Sequence, residues 1–423
     1  MHDAPRRYLH GTWPLLIGMG VLMLGAGLQG TLIGLRAALE EFPTFVIGVV
    51  MSCYYVGYVG GSFRTPQLVQ RVGHIRVFAA LTAVASASIL LQAILVTPAL
   101  WAVLRMVSGF CFAGIYVVAE SWLNDRATNQ SRGSLLAVYM LVLYVGLGAG
   151  QFLLNAADPA GPILFLLTSV LISLSIVPIT LSAQRAPEFD VGERIELAQL
   201  YHISPLGVVG VTVSGMLTSA LFSMGSVYAR LSGFEATDIA TFMAVMILAA
   251  VFTQLPIGRL SDRMDRRSVL VAVCVLAACL AMGAAVFGST SRATLFVLAA
   301  GFGGIALTLY SLSLSHINDH LAPEQMVSAS GSVILMNGVG AIAGPPLVAV
   351  LMEAFGPSAY FGSMAVLVGA LALYALWRKR QRAPVPLERK ARFVGAQPQA
   401  VSGQLVADAA QSVALGREER VTR

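Results

Sequence analysis

Arg105 is the side chain whose type and position most directly imply chemistry, because it lies inside a long apolar stretch that begins at Pro98. Seven helical residues past Pro98 place it about 10 Å into that stretch. A charge at such a depth in a bilayer costs at least about 2.5–3.5 kcal/mol unless it is hydrated or paired. Two interpretations stay open. The guanidinium bonds backbone carbonyls of a neighbouring helix, or it faces a water-filled cavity and meets an anionic or polar ligand.

Acidic residues that could pair with Arg105 are not apparent in the sequence. Glu120 is fifteen residues further along the same helix, about 22 Å away. The other acids near apolar stretches lie at their ends or in loops: Glu40, Glu41, Asp158, Asp238 and Glu353. The sequence therefore predicts an apolar interior without a carboxylate, in which Arg105 is alone.

Residue patterns for covalent or metal chemistry are missing from the sequence. It contains no nucleophile–base set and no phosphate-binding loop, and its four cysteines lie in apolar runs without histidines at ligand spacing. We expect no enzymatic activity, no metal, no cofactor and no disulfide. His316 could titrate and act in gating, although an interfacial histidine with satisfied hydrogen bonds is the simpler interpretation.

The composition indicates what surrounds these side chains. Of the 423 residues, 57% are hydrophobic and only 11% are charged, and the mean hydropathy is +0.77. Soluble domains carry about 25% charged residues, and a soluble protein this poor in charge would expose large apolar patches and aggregate. We therefore expect a polytopic membrane protein in contact with the lipid bilayer. The net charge of +6 comes from arginines dispersed over short loops, which argues against nucleic-acid binding.

Twelve apolar stretches are long enough to cross a bilayer as helices, which takes roughly 20 residues. The first six cover 13–35, 44–63, 75–96, 98–121, 134–155 and 161–182, and the second six cover 206–229, 238–257, 269–287, 293–315, 327–351 and 358–377. The predicted fold class is an all-α membrane protein with two six-helix bundles. The predicted domains are an N-terminal segment at 1–12, a first bundle at 13–182, a linker at 183–205, a second bundle at 206–377 and a tail at 378–423, which is expected to be disordered.

Positive charges alternate between the loops that join these stretches. The loops assigned to the outside carry only Arg36, Arg230 and Arg292, whereas the other arginines between the spans lie in loops assigned to the inside. Because positive residues collect on the cytoplasmic side, we expect both termini in the cytoplasm. An odd number of spans would destroy this alternation.

The loop between spans eight and nine, GRLSDRMDRR at 258–267, carries four arginines. Its pattern resembles the signature loop of the major facilitator superfamily of secondary transporters, and Arg105-x-x-x-Gly109 is similar to another element of that superfamily. The run AESWLND followed by Arg132-Gly133 resembles a bacterial, YcaD-like subgroup. This resemblance covers about 13–377. It implies a monomer in the bacterial inner membrane whose two bundles rock around a central site.

An ion-pair network at the cytoplasmic ends is a further implication of the resemblance. Such pairs form in one access state and break in the other. The residues at matching positions are Glu120, Arg132, Arg71, Arg76, Asp262, Arg263, Arg266 and Asp319. The alternative is static ion pairing or snorkelling at the inner face.

The two halves repeat, although not in full. LVQRVG at 68–73 aligns with LSDRMD at 260–265, and WLND at 122–125 aligns with HIND at 316–319. Gln70 therefore stands where the second half has Asp262, and Pro66 where it has Gly258. Glutamine cannot form an ion pair, so we expect the second half to carry the charged latch.

Large polar and aromatic side chains are the best candidates to contact a small-molecule substrate in the cavity that the resemblance implies between spans one, four, seven and ten. Besides Arg105, they are Gln29, Tyr54, Tyr58, Tyr116, Tyr144, Gln151, Asn155, Tyr228, Tyr310 and Asn337. Transporters of cationic drugs usually hold a buried carboxylate, and none is apparent here, so the prediction is a neutral or anionic solute. Coupling to a proton gradient would use Glu120 or His316. The alternatives are an uncoupled facilitator, a drug efflux pump, or a transporter-like sensor or scaffold that signals through its tail.

Overall fold

The computed structural model describes residues 4–127, 131–181 and 195–381, together with Lys390, Phe393 and Gly395. Helices α1 to α7 build the N-terminal half: Ala4–Leu39, Thr44–Val72, His74–Ile94, Pro98–Arg126, Arg132–Phe152, Ile163–Leu174 and Val177–Thr180. Helices α8 to α14 follow: Leu197–Ile203, Pro205–Leu231, Ala236–Arg263, Arg266–Phe287, Arg292–Asn318, Pro323–Phe355 and Ala359–Lys379. Most of the predicted linker and tail, including the tail's expected disorder, lies outside the described residues.

Twelve helical segments within the described ranges are long and apolar enough to cross a membrane. Each coincides with one predicted span, and α6 and α7 together form the sixth, Ile163–Thr180. Helices dominate because the hydrocarbon core offers no hydrogen-bonding partner to a free backbone group, whereas a helix satisfies those groups internally. The predicted all-α fold with twelve spans is confirmed.

Large apolar side chains are exposed on the outside of the bundle. Phe252, Val297, Val366 and Leu373 are each at least two-thirds exposed and lie on three different spans. A soluble monomer does not expose apolar surface on this scale. These side chains are therefore suited to contact lipid tails.

Each half has its own set of packed helices. In the N-terminal half, α4 packs against α2 and α3, and α1 packs against α5 and α6. In the C-terminal half, α12 packs against α9, α10 and α11, while α13 packs on α9 and α14 on α11. The corresponding spans of the two halves are thus used in similar ways.

Contacts between the halves run mainly through three helix pairs: α2 with α13, α5 with α10, and α1 with α9. We call the end that holds Gly73 and Asp265 the inner end, and the opposite end the outer end. Toward the outer end, the Phe45 N–H donates to Glu353 Oε2 at 3.0 Å, and Ser52 Oγ donates to the Ile342 carbonyl at 2.5 Å. In the described ranges, α4 and α5 form no extensive contact with α12 and α13. The halves are therefore joined more firmly near the outer end.

Candidate functional site

A cavity of about 520 Å³, counting the part open to solvent, lies between the halves. Four helices of the first half and one of the second supply its lining: Ala26, Gln29, Gly30, Met51, Tyr54, Tyr55, Arg105, Phe112, Tyr116, Leu147, Phe222 and Ser223. A neighbouring space of about 320 Å³ shares Tyr55 and extends between α2, α9 and α13. A mostly apolar lining with a few polar groups is typical of small-molecule sites.

Arg105 lies in this cavity and is only 4% exposed. Its guanidinium carbon lies 4.5 Å from the centroid of the Tyr54 ring, at cation–π distance. Its Nε is buried without a hydrogen-bond partner, as is Nε2 of Gln29 in the same cavity. No described residue forms an ion pair with Arg105. Of the two interpretations, the structure therefore supports the one in which the guanidinium faces a cavity.

The spacing of Arg105 and Gly109 explains how the guanidinium reaches Tyr54. The two residues lie about one helical turn apart, so they share the face of α4 that packs against α2. A Cβ at Gly109 would overlap with the Tyr54 carbonyl oxygen, and a Cβ at Gly57 would overlap with the Met106 carbonyl oxygen. The glycines let the two backbones approach closely, which brings the Tyr54 ring next to the guanidinium.

Several predicted substrate contacts lie at the cavities. Gln29, Tyr54 and Tyr116 line the first cavity with Arg105, while Tyr58 and Asn337 line the neighbouring space. Asn337 Nδ2 also donates to the Val211 carbonyl at 3.1 Å, which ties α13 to α9.

Other predicted contacts lie outside the two cavities. The Gln151 amide accepts from Thr31 and donates to the Gly27 carbonyl at 2.9 Å, so it joins α5 to α1. Tyr228 stacks on Tyr360 with ring centroids 4.9 Å apart, inside an aromatic cluster of the second half. Tyr144 is buried in the core of the first half, and Asn155 is exposed in a 3₁₀ turn at the outer end.

Glu120 corrects the expectation that the interior lacks a carboxylate. It is only 1% exposed and lies within electrostatic range of the hydroxyls of four buried tyrosines: Tyr58, Tyr116, Tyr139 and Tyr310. The expectation was wrong because α4 continues to Arg126, and because α12 of the other half contributes Tyr310 to the surroundings of the carboxylate. A position near the end of a span does not make a side chain exposed.

A line of tyrosines connects the surroundings of Arg105 with those of Glu120. Tyr54 and Tyr58 have ring centroids 6.2 Å apart, and Tyr58 and Tyr116 have centroids 6.4 Å apart. Tyr54 lies next to Arg105, whereas Tyr58 and Tyr116 lie near Glu120. The two charged groups thus belong to one continuous polar and aromatic path, although they are far apart along α4.

The predicted gating residues of the second half form a compact ion-pair network at the inner end. Arg266 Nη1 contacts Asp319 Oδ1 at 2.7 Å, and Arg266 Nη2 contacts Asp262 Oδ1 at 3.2 Å. Arg266 Nε donates to Ser261 Oγ at 2.8 Å, and Nη1 also donates to the Ser315 carbonyl at 2.6 Å. The Arg266 and Asp319 side chains are each 1% exposed. These hydrogen bonds compensate for the cost of burying the charges.

The remaining predicted gating residues differ in how far they are exposed. Arg71, Arg76 and Arg263 are exposed at the inner surface, Arg132 is half-buried at the start of α5, and Glu120 lies between the halves.

Sequence reasoning missed some lining residues. Tyr55, Phe112 and Phe222 were not distinguished from ordinary apolar core residues, because only their packing places them at a cavity. The expectation of spans one, four, seven and ten around the cavity also left out α2 and α13, although tyrosines at 54, 55 and 58 were a signal for α2. Within the described ranges, no group of three or more His, Cys, Asp or Glu could hold a metal ion.

Twelve spans in two halves around a central cavity define a multi-pass membrane protein of the transporter type. The sequence matches the Major Facilitator Superfamily over residues 15–317 and 207–416. It is 30% identical over 380 residues to an uncharacterized MFS-type transporter of Enterobacter sp. (strain 638), which covers 88% of this chain and 97% of the relative. It is also 30% identical over 377 residues to the uncharacterized MFS-type transporter YcaD of Escherichia coli, with the same coverage. The chain belongs to the Major Facilitator Superfamily.

Solved structures have the same fold. The nucleoside transporter NupG has a TM-score of 0.68 at 15% identity, covering 86% of this chain and 98% of that one. A bacterial homolog of the human lysosomal transporter Spinster, in an inward-facing and occupied conformation, has a TM-score of 0.72 at 14% identity, covering 91% and 98%. At such identities the likeness extends to the fold alone.

Proposed function

We propose that this chain is a secondary transporter that moves a small organic solute, anionic or neutral, across the bacterial inner membrane by alternating access. Its termini lie in the cytoplasm, and a single chain contains the whole pathway. The observation that carries the proposal is the buried, unpaired Nε of Arg105 in a cavity between the halves. The superfamily membership supports solute transport in general.

The choice of an anionic or neutral solute rests on the hydrogen-bond donors that line the cavity. Arg105 and Gln29 each present a buried N–H without an acceptor, and an unmet buried donor costs about 1–3 kcal/mol. A carboxylate or carbonyl oxygen would satisfy both groups, whereas an ammonium group would add a second positive charge beside the guanidinium. The Tyr54, Phe112 and Phe222 rings suit an apolar body on the same solute.

If transport is coupled to protons, we propose that Glu120 is the residue that binds and releases the proton. Its carboxylate is buried between the halves, so a change in its protonation would alter a charge in the space that opens and closes. His316 is less suitable, because it lies in a separate cleft with His320, Arg267 and Arg378 inside the second half.

A ligand-stabilisation experiment tests the solute class. Purified protein in detergent is heated with matched solutes that share one carbon skeleton and differ in carrying a carboxylate, an amide or an amine. We expect stabilisation by the carboxylate or amide, because a ligand that binds the folded state raises apparent stability by mass action. In Arg105→Gln, affinity for the carboxylate should fall roughly 10- to 100-fold, the effect of one lost charged hydrogen bond.

Arg263→Gln is the matched control, since Arg263 is exposed and lies outside the cavity. Stabilisation by the amine that Arg105→Gln leaves unchanged would overturn the solute class. In proteoliposomes, uptake of the identified solute should respond to a pH gradient, and this response should vanish in Glu120→Gln. Wild-type uptake that ignores the gradient would instead indicate an uncoupled facilitator.

A further inference from the structure

Three described residues of the C-terminal tail contact the inner part of α10. The Phe393 N–H donates to Asp262 Oδ1 at 2.8 Å, and Lys390 Nζ donates to the Met264 carbonyl. The Phe393 ring lies directly on Gly258, where a Cβ would overlap with it, and Gly395 lies against the Gln254 amide. Lys390 is only 4% exposed. These contacts follow one flank of α10 from Asp262 to Gln254, a length of about 12 Å.

Helix α10 is one of the helices that join the halves, because it packs against α5 of the first half. Gln254 Nε2 donates to Ser311 Oγ on α12 at 3.2 Å, so the tail lies beside the contact of α10 with α12. The next residue, Tyr310, lies within electrostatic range of Glu120 on α4. Helix α4 belongs to the other half. The tail residues therefore occupy a groove on a helix that takes part in the contact between the halves.

Glycine at position 258 suits this contact. Any other side chain on that face of α10 would occupy the place of the Phe393 ring. Asp262, one turn further along, accepts from the tail backbone while it also accepts from Arg266. The superfamily's signature loop is thus engaged by a segment of the same chain.

We propose that the tail, through Lys390, Phe393 and Gly395, docks in this groove on α10 and restrains closure of the inner end, so that it acts as an intramolecular brake on the transport cycle. The inference rests on the proposed transport function. Docking involves few contacts, so it can be reversible. It slows the cycle only if undocking must precede closure, because a bound segment shifts a two-state equilibrium toward the state that it contacts.

Disulfide trapping tests docking without any transport measurement. In full-length protein whose four native cysteines are replaced by serine, Gly258→Cys is combined with Phe393→Cys. We expect rapid crosslinking under mild oxidation, because a disulfide requires the two Cα atoms to lie within about 7 Å. Gly258→Cys with Arg380→Cys is the control pair, since Arg380 is exposed just beyond α14. Equal crosslinking of both pairs, or none in either, would overturn docking.

Flux in proteoliposomes tests the brake. Phe393→Ala should raise the turnover rate roughly two- to tenfold, and Gly258→Ala should do the same by displacing the ring. The double variant should be no faster than either single variant, because both remove one contact. Arg380→Ala is the control and should leave the rate unchanged.

The outcomes separate the brake from the underlying transport function. Unchanged or reduced turnover in Phe393→Ala, with the crosslink present, would overturn the brake while leaving docking intact. A chain that crosslinks as expected but moves no solute would overturn the proposed function alone.

Discussion

The inner ends of the two halves use equivalent positions for different chemistry. In the second half, Arg266 binds Asp319 and Asp262 in a buried ion-pair network. By the internal repeat, the corresponding first-half positions are His74, Asp125 and Gln70. There, His74 Nε2 lies 2.9 Å from Ser121 Oγ, and its ring stacks on Trp122.

The equivalent side chains of the two halves also differ in burial. The Asp319 side chain is 1% exposed, whereas the Asp125 side chain is 45% exposed and its carboxylate lies 3.8 Å from the neighbouring Arg126. A guanidinium stays charged at every physiological pH and can bind two carboxylates at once, whereas an imidazole has only two ring nitrogens. The second half therefore has a buried ion-pair network at its inner end, whereas the first half has a histidine beside a serine and a largely exposed carboxylate.

This difference indicates that equivalent positions of the two repeated halves can carry different interactions. The charged half offers Asp262 both to Arg266 and to the tail residue Phe393. Gln70 in the first half keeps hydrogen-bonding capacity but cannot pair with a cation. Substitutions at equivalent positions should therefore have unequal effects.

The largest difference is expected in stability, between Asp319→Asn and Asp125→Asn. Asp319→Asn removes one partner of a buried pair and leaves Arg266 partly uncompensated, which costs about 3–5 kcal/mol. Asp125→Asn should cost less than about 1 kcal/mol, the usual value for an exposed pair. The measurement is the free energy of unfolding in detergent.

Replacing both members of the pair gives the control. Asp319→Asn with Arg266→Met removes the uncompensated cation and should recover part of the lost stability. Equal destabilisation by Asp319→Asn and Asp125→Asn would show that the two inner ends contribute equally to the free energy of unfolding. It would contradict the difference between the halves.

Transport should show a smaller asymmetry between Asp262 and Gln70. Asp262→Asn weakens a charge-assisted contact to Arg266, and such contacts are worth about 1.5–3 kcal/mol, so the flux should fall roughly tenfold or more. Gln70→Ala should change it less than about twofold, within the range of substitutions away from critical contacts. Flux is measured in chains truncated after Gln381, so that the Phe393 contact plays no part. Similar losses in both variants would contradict a latch based on the second half.

The sequence predicted the fold because the bilayer restricts it. Spanning segments must be helical and apolar, so hydropathy alone located the twelve spans. Residue type also led to Arg105 with Gln29 and Tyr54, since a cation or amide within an apolar stretch requires a cavity or a partner.

The surroundings of individual side chains were harder to predict from the sequence, because they depend on contacts between distant parts of the chain. Glu120 lies within electrostatic range of Tyr310 of the other half, and the Gln151 amide is hydrogen-bonded to α1. Neither contact leaves a local pattern in the sequence. The contact between Phe393 and Gly258 is of the same kind, because a glycine in a helix does not reveal what packs on it.

The starts of α3 and α11 provide the smallest test of the asymmetry. Asp265 caps α11 by accepting from the Arg267 N–H, whereas its counterpart Gly73, with a φ of +92°, offers no side chain to α3. Burial alone would raise the pKa of Asp265, but hydrogen bonds from Ser268 and Arg267 and the Arg267 charge outweigh it and lower the pKa below its ordinary value.

Asp265→Ala should therefore cost about 1 kcal/mol at neutral pH, the usual value for a lost N-cap. A lowered pKa means that the carboxylate stabilises the fold above the pKa of the unfolded chain, about 3.9, and that this stabilisation is lost as the pH falls through the folded value. The stability difference between wild type and Asp265→Ala should shrink below about pH 4. Gly73→Ala should cost a similar amount through backbone strain at positive φ, but without this pH dependence. If both variants show the same pH profile in thermal unfolding, the caps do not distinguish the two halves electrostatically.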